Sequence, residues 1–223
     1  MTKGYAIDPT TALMYLARIL ALALPIPLHE TAHAYVSDKL GDPTAKNLGR
    51  ISLNPIKHFD IIGAMFMIFV GFGWAKPVPV NHRFYTNKKI SMALSSLAGP
   101  LSNFLLAYLF IVIYKVVYYT AGGLDGSSFR HVISILLEYM IAINITLAVF
   151  NLLPIPPLDG SRVFLLFLPE RIYFGIMRYE RYIVIVLFLL MSSGLLNGII
   201  TQLQISMYSL LSKATMYLDI LLA

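Results

Sequence analysis

Apolar residues fall in long blocks along this chain, separated by shorter polar segments that hold most of its prolines and charges. The first block runs from about Thr11 to Asp38, is entered through Asp8-Pro9-Thr10 and is left through Gly41-Asp42-Pro43, which predicts a membrane-spanning helix. Further helices are predicted from about Ile90 to Tyr119, His131 to Leu153 and Tyr182 to Leu196, and after Asn197-Gly198 an apolar stretch continues to Leu222. Gly194 and Asn197-Gly198 break this last region without charges to orient its end, so one span or two stays open.

One apolar run does not fit that scheme. Between Asn47 and Asn81, the run Ile61 to Phe72 has only twelve residues, short against the roughly 20 needed to cross a bilayer. Its flanks, Gly49 to Pro55 and Lys76 to Asn81, are expected to be extended, because proline restricts both itself and its predecessor. The expectation is an all-α polytopic membrane protein, a helical bundle of about four to six transmembrane segments with a short membrane-associated β or re-entrant element. Residues 1–223 are expected to form a single membrane-embedded domain, with a core over about 11–165 and C-terminal helices over about 180–222.

Composition sharpens this picture. The chain is 58% hydrophobic and 13% charged over 223 residues, with a mean hydropathy of +0.74, which excludes an ordinary soluble domain. No charged, apolar and small-residue pattern at the start marks a removable signal, so the first run is expected to stay as a membrane segment. The absence of cysteine excludes disulfides and thiolate ligands. The net charge of +6 reflects basic loops rather than a nucleic-acid footprint, and no nucleic-acid partner is expected.

Those loops also set the orientation. Lys39, Lys46, Arg50 and Lys57 precede the short run, Lys76, Arg83, Lys88 and Lys89 follow it, and Arg162, Arg171, Arg178 and Arg181 follow the third helix; these are 12 of the 17 basic residues. If the short run does not cross, all three clusters share one side, which the positive-inside rule makes cytoplasmic. The connection Thr120 to Arg130, with only Asp125 and Arg130 charged, suits the outer side. A multi-pass protein of the inner or plasma membrane results. Arg18, within the first apolar run, is expected to snorkel to the outer interface.

The chemistry begins with His29-Glu30-Thr31-Ala32-His33, an HExxH pattern at the cytoplasmic end of the first helix. On a helix, residues four apart lie about 40° from one another, so both imidazoles can face one metal. Glu30, one step round, can take a proton from a metal-activated water. The plain alternative is two histidines at a helix end. Pro25 and Pro27 interrupt the helix just before the motif, which a membrane tolerates where water can reach the freed carbonyls. A third ligand is then needed. His131 lies on the outer side, which leaves His58 and His82 as weak candidates. Asp159, in Asn151-Leu-Leu-Pro-Ile-Pro-Pro-Leu-Asp-Gly160, lies at the depth and on the side of His29 and His33. Taken alone, that block reads equally as a solvated Asp-Gly turn; its location beside the histidines favours a metal.

Together these residues resemble the site-2 proteases, intramembrane zinc metalloproteases. The resemblance rests on His29, Glu30 and His33, on the block Asn151 to Gly160, which looks like the family's N-x-x-P-x-P-x-L-D-G motif, and on Ala98-Gly99-Pro100 with Asn103. The stretch Gly73 to Asn81 looks like the compact bacterial or archaeal subgroup, without room for a PDZ or CBS domain. The resemblance implies one zinc per chain held by His29, His33 and Asp159, with Glu30 as acid and base. It implies cleavage of a transmembrane helix of a membrane-protein substrate within the lipid bilayer, and Asn151 is expected to offer its amide to the oxyanion. Lys76, Pro77, Val78, Pro79, Val80 and Asn81 are expected to hold the unwound substrate as an edge strand. Asn103 is a further substrate-contact candidate, with close helix packing as the stronger alternative. Two other readings stand beside this one: a zinc or proton transporter, against which the outer halves of the helices look bare, and a silent substrate-binding homologue. Oligomeric state stays open.

Overall fold

The structure is a computed structural model that describes residues 9–70, 73–121 and 128–222. Asp8, the last two residues of the short apolar run and most of the outer connection with Asp125 therefore lie outside the described residues.

The first span is built from two stacked helices, α1 (Pro9–Ala23) and α2 (Pro25–Lys39), which together run long and apolar enough to cross a membrane. Leu24 at their junction leaves helical geometry, with φ −128° and ψ −62°, because Pro25 and Pro27 open the first turn of α2 and donate no N–H there. After α2, Gly41 takes a φ of +107°, a turn that glycine makes without strain. A short helix α3 (Thr44–Asn47) follows. The long helices α5 (Lys88–Thr120) and α6 (Ser128–Asn151) supply two more spans. Asn87 starts α5 by accepting the Ile90 N–H at 3.2 Å.

Helix α5 packs on both α2 and α6. Its buried positions Ser91, Ala93, Ser95, Ser96, Gly99 and Asn103 are small or polar, which lets the backbones come close where lipid offers no hydrophobic drive of its own. Farther along, Ala107 and Ile111 meet Ile141, Ile145 and Val149 of α6, together with Leu211. Beyond α6 lie α7 (Asp159–Phe164), α8 (Glu170–Arg178), α9 (Glu180–Ser192), α10 (Asn197–Ala214) and α11 (Met216–Leu222). Helices α9 and α10 meet at 85°, with Gly194 at φ +76° in the bend.

The described residues thus contain three helices able to cross, or four if the bent pair is one span, fewer than the expected upper count of six. The short apolar run explains part of the difference. It forms α4 (Ile61–Phe69), nine residues long and so about 13 Å. Both ends of this segment return to one place: Phe59 and Ala75 form an antiparallel bridge, and the Lys76 N–H donates to the His58 carbonyl at 2.9 Å. Gly63 and Gly73 let the two limbs touch, since a methyl group on Gly63 would overlap the Trp74 carbonyl.

Two expectations need correction. The flanking strands do not form among the described residues. Lys76 to Asn81 is extended, but its Val78 and Asn81 N–H groups donate to side chains of Glu30 and Asp42, and Pro77 and Pro79 have none to give a ladder. Arg18 has partners inside the fold: its guanidinium donates to the Ile68 carbonyl of α4 at 2.7 Å and lies over the Tyr15 ring. Nor are the helices bare away from His29 and His33. Toward the far end of α5, Lys115 pairs with Asp219 at 2.6 Å, and Glu138 accepts from Tyr114 and Ser134.

Candidate metal centre

The spacing of four on α2 places His29 and His33 on one buried face, their Nε2 atoms 3.0 Å apart. Asp159 opens α7, and its Oδ2 lies 3.3 Å from His29 Nε2 and 3.2 Å from His33 Nε2. These are three ligand atoms from three side chains meeting at one point. Nitrogen and oxygen ligands about 2.0–2.1 Å from a tetrahedral zinc stand about 3.3–3.4 Å from each other, which the observed spacings approach. The donor set of two imidazoles and one carboxylate, with one corner left over, fits a catalytic zinc.

The surroundings hold these groups in place. His33 Nδ1 lies 2.7 Å from the Ser95 carbonyl, so Nδ1 carries the proton and Nε2 presents its lone pair. Gly99 admits both rings against α5, and Gly160 lets the turn bearing Asp159 close on Leu152, where a methyl group would overlap the Leu152 carbonyl. Burial disfavours the Asp159 charge, yet the adjacent His33 and His29 rings outweigh it and hold the carboxyl below its usual range. Glu30 follows His29 and accepts the Val78 N–H at 3.1 Å through Oε2.

Two cavities meet at this cluster. One, of about 620 Å³, carries polar groups including Ser95, Ser96, Arg162 and Glu180. The other, of about 480 Å³, is walled largely by Ile26, Met67, Phe150, Leu187, Met191 and Ile200. His29, Glu30, Asn151 and Leu158 border both.

A family profile described as Peptidase family M50 matches residues 116–194, a stretch that contains Asn151 and Asp159 but neither His29 nor His33. Similarity to a Bacillus subtilis protein named "Putative zinc metalloprotease YwhC" reaches 43% identity over 156 residues, covering 70% of this chain and 69% of that one. The chain belongs to peptidase family M50. Two mycobacterial M50 relatives, each named "Putative zinc metalloprotease Rip2", are 29% identical over 140 residues in Mycolicibacterium smegmatis and 28% over 139 in Mycobacterium tuberculosis. The M50 chain spans half the length of either. No solved structure matches it. Membership makes this protein a multi-pass membrane zinc metalloprotease, consistent with its apolar helices.

Within the M50 site, the residues expected from sequence divide into two groups. His29, Glu30, His33, Asn151 and Asp159 border one cavity, as do Pro77, Val78 and Val80. Lys76, Pro79 and Asn81 do not border it; the Lys76 carbonyl is taken by Arg50, and the Asn81 N–H by Asp42. Asn103 is fully buried in α5 with no hydrogen-bond partner for its side chain among the described residues, away from the cavity walls. The Asn151 amide donates to the Leu147 carbonyl at 2.9 Å, which leaves one of its two N–H groups for another acceptor. Of the weaker histidines, His58 is buried against the Ser52 carbonyl, while His82 reaches only the cavity wall. Sequence reasoning missed the Ser95 carbonyl, because a backbone group has no residue-type signature. It also missed Arg162 and Glu180, which pair at 3.2 Å on the cavity wall and look like ordinary loop charges.

Proposed function

We propose that this intramembrane zinc metalloprotease hydrolyses peptide bonds inside the transmembrane helices of membrane-anchored substrates, with His29, His33 and Asp159 as zinc ligands and Glu30 as general base. The observation that carries this reading is the position of Glu30 at the junction of an apolar and a polar cavity, beside the three ligand atoms. An apolar cavity suits the side chains of an unwound membrane helix. A polar one lets water reach the same bond. Zinc held by His29, His33 and Asp159 would supply Lewis-acid polarisation of the scissile carbonyl and would acidify a water. Glu30 is placed to take a proton from the attacking water and return it to the leaving amine. The free N–H of Asn151 donates to the developing oxyanion, and the extended segment around Val78 and Val80 lies along the substrate.

In this reading α4 is a re-entrant hairpin. Ile61, Ile62, Met65, Phe66 and Phe69 are all exposed on a nine-residue helix whose flanking residues Phe59 and Ala75 pair, a combination that lipid satisfies and water does not. The basic clusters before and after α4 then share the cytoplasmic side with the zinc site.

The test is cleavage of a model transmembrane substrate in liposomes by wild type and Glu30→Gln, with zinc content measured on both. Loss of about 100-fold or more in kcat with zinc retained supports the assignment. Equal cleavage by the two proteins would overturn it.

A further inference from the structure

Arg50, in the loop after α3, is buried to 7% exposure. No carboxylate lies within ion-pair distance of it among the described residues. A buried cation is costly without compensation, and here two backbone carbonyls supply it. Nη2 donates to the Lys76 carbonyl at 2.6 Å and Nη1 to the Pro77 carbonyl at 3.3 Å. Burial pushes the guanidinium pKa down, and the negative charge of Glu30 acts in the opposite sense, so the two groups feel each other's field.

The geometry beyond those carbonyls gives Arg50 a role. The Pro77 carbonyl and the Val78 N–H are opposite ends of one planar peptide group. With its oxygen held by Arg50, that group aims its N–H at Glu30 Oε2, 3.1 Å away. No neighbouring amide can substitute, because Pro77 and Pro79 have no N–H. A guanidinium spans two successive carbonyls with its fork, which a lysine ammonium on a flexible stem does less well.

We infer that Arg50 is a positioning residue for Glu30: it fixes the 77–78 peptide plane, whose N–H anchors Oε2 and leaves Oε1 turned to the proton of the attacking water. This rests on Glu30 being the general base. Thr31 and His58 brace the same loop from the other side, both bonded to the Ser52 carbonyl, at 2.7 and 2.6 Å. Arg50 is thus anchored at its root as well as at its tip.

Arg50→Lys, Val78→Pro and the double variant separate this role from a merely structural one, measured as purified full-length protein on a model transmembrane substrate with Glu30→Gln alongside. Arg50→Lys is expected to keep its zinc and its KM within about twofold, and to lose between about 10- and 100-fold in kcat. Val78→Pro, which removes the N–H itself, should keep its zinc and lose kcat to a similar degree, while its KM is free to change because Val78 also lies along the substrate. The double variant should be no worse than the poorer single one, because both act through one bond. Hydrogen exchange in the peptide spanning Pro77–Pro79, where only Val78 has an N–H, should quicken in Arg50→Lys.

Unchanged kcat in Arg50→Lys, a loss that tracks zinc or folded fraction, or losses that multiply in the double variant would each overturn the inference. If Glu30→Gln cleaved like wild type, the general-base reading would fall, while unchanged exchange at Val78 would separately remove the clamp.

Discussion

Gly99 of α5 lies directly against the imidazoles of α2: a β-carbon there would stand 2.5 Å from His33 Cε1 and 2.6 Å from His29 Cε1. No side chain fits that space without moving a ring or parting the two helices. Gly99→Ala is therefore expected to lower zinc affinity and cleavage together, on the order of 10- to 100-fold, the range seen when the support of metal-bound histidines is disturbed. Gly175→Ala on α8, where the added carbon meets nothing within 4 Å, serves as the control and should change neither. Zinc titration beside an activity assay checks both. A Gly99→Ala protein that keeps wild-type zinc affinity would contradict the packing argument.

Asp159 and Glu30 are both carboxylates at the site, yet their surroundings differ. Asp159 Oδ2 points at both Nε2 atoms, whereas Glu30 Oε2 accepts a backbone N–H, that of Val78. Asp159→Asn keeps the shape and removes the charge, so it should weaken zinc binding by at least about 100-fold and abolish cleavage as a consequence. Glu30→Gln should lose cleavage with zinc retained. Equilibrium dialysis against a zinc buffer separates the two; the same zinc loss in both variants would show that the roles are wrongly divided.

How far the sequence speaks depends on which property carries the information. The pair His29 and His33 was legible because a spacing of four is a property of the helix itself. Asp159 was legible through depth, since helix lengths and basic loops placed it level with the histidines. Arg50 was not: in the sequence it is one more cation in a basic loop, and only the fold turns its fork onto the Lys76 and Pro77 carbonyls. Strands were expected around Val78 because prolines enforce extension, but extension alone makes no ladder when alternate N–H groups are missing. Lys115 and Glu138 escaped notice because isolated charges within apolar blocks give no hint of partners 104 residues away, as Asp219 is from Lys115, or of hydroxyl donors such as Tyr114.

His58 makes the loop that carries Arg50 sensitive to acid. It is fully buried, its Nε2 donates to the Ser52 carbonyl at 2.6 Å, and its Nδ1 has no partner among the described residues. Burial, chiefly, and the nearby Arg50 charge lower its pKa below the ordinary value of 6.5, despite the Ser52 bond. The unfolded chain therefore binds a proton there before the folded chain does, and stability falls as pH drops from about 6.5 toward the lower folded value. Asp42 acts in a lower window. Burial works against its charge, but bonds from Thr44, Asn81 and Ser37 outweigh that and depress its pKa, so its contribution is lost only as pH falls below about 4. Melting temperatures in detergent should fall between pH 7 and 5.5 for wild type and fall less for His58→Gln. Parallel curves for the two proteins would show that His58 is not the responsible group.

Lys115 lies sixteen residues beyond Gly99 on α5, about 24 Å along the helix, and ties the last helix to the bundle. Its Nζ contacts Asp219 Oδ2 at 2.6 Å and the Thr215 carbonyl at 3.3 Å, while Tyr119 donates to Asp219 Oδ1 at 3.2 Å. Lys115→Met removes the cation and leaves the Asp219 carboxylate beside an apolar helix with one phenol donor, so α11 should loosen and the melting temperature should drop. Replacing both residues, as in Lys115→Met with Asp219→Leu, removes the orphaned charge as well and should restore much of the loss. Cleavage per folded molecule should stay within about twofold of wild type in all of these, because nothing in the cluster reaches the zinc site. Protease accessibility of residues 214–222, compared with melting and activity, tests the arrangement. A double variant less stable than Lys115→Met alone would mean that the ion pair was not what held α11 in place.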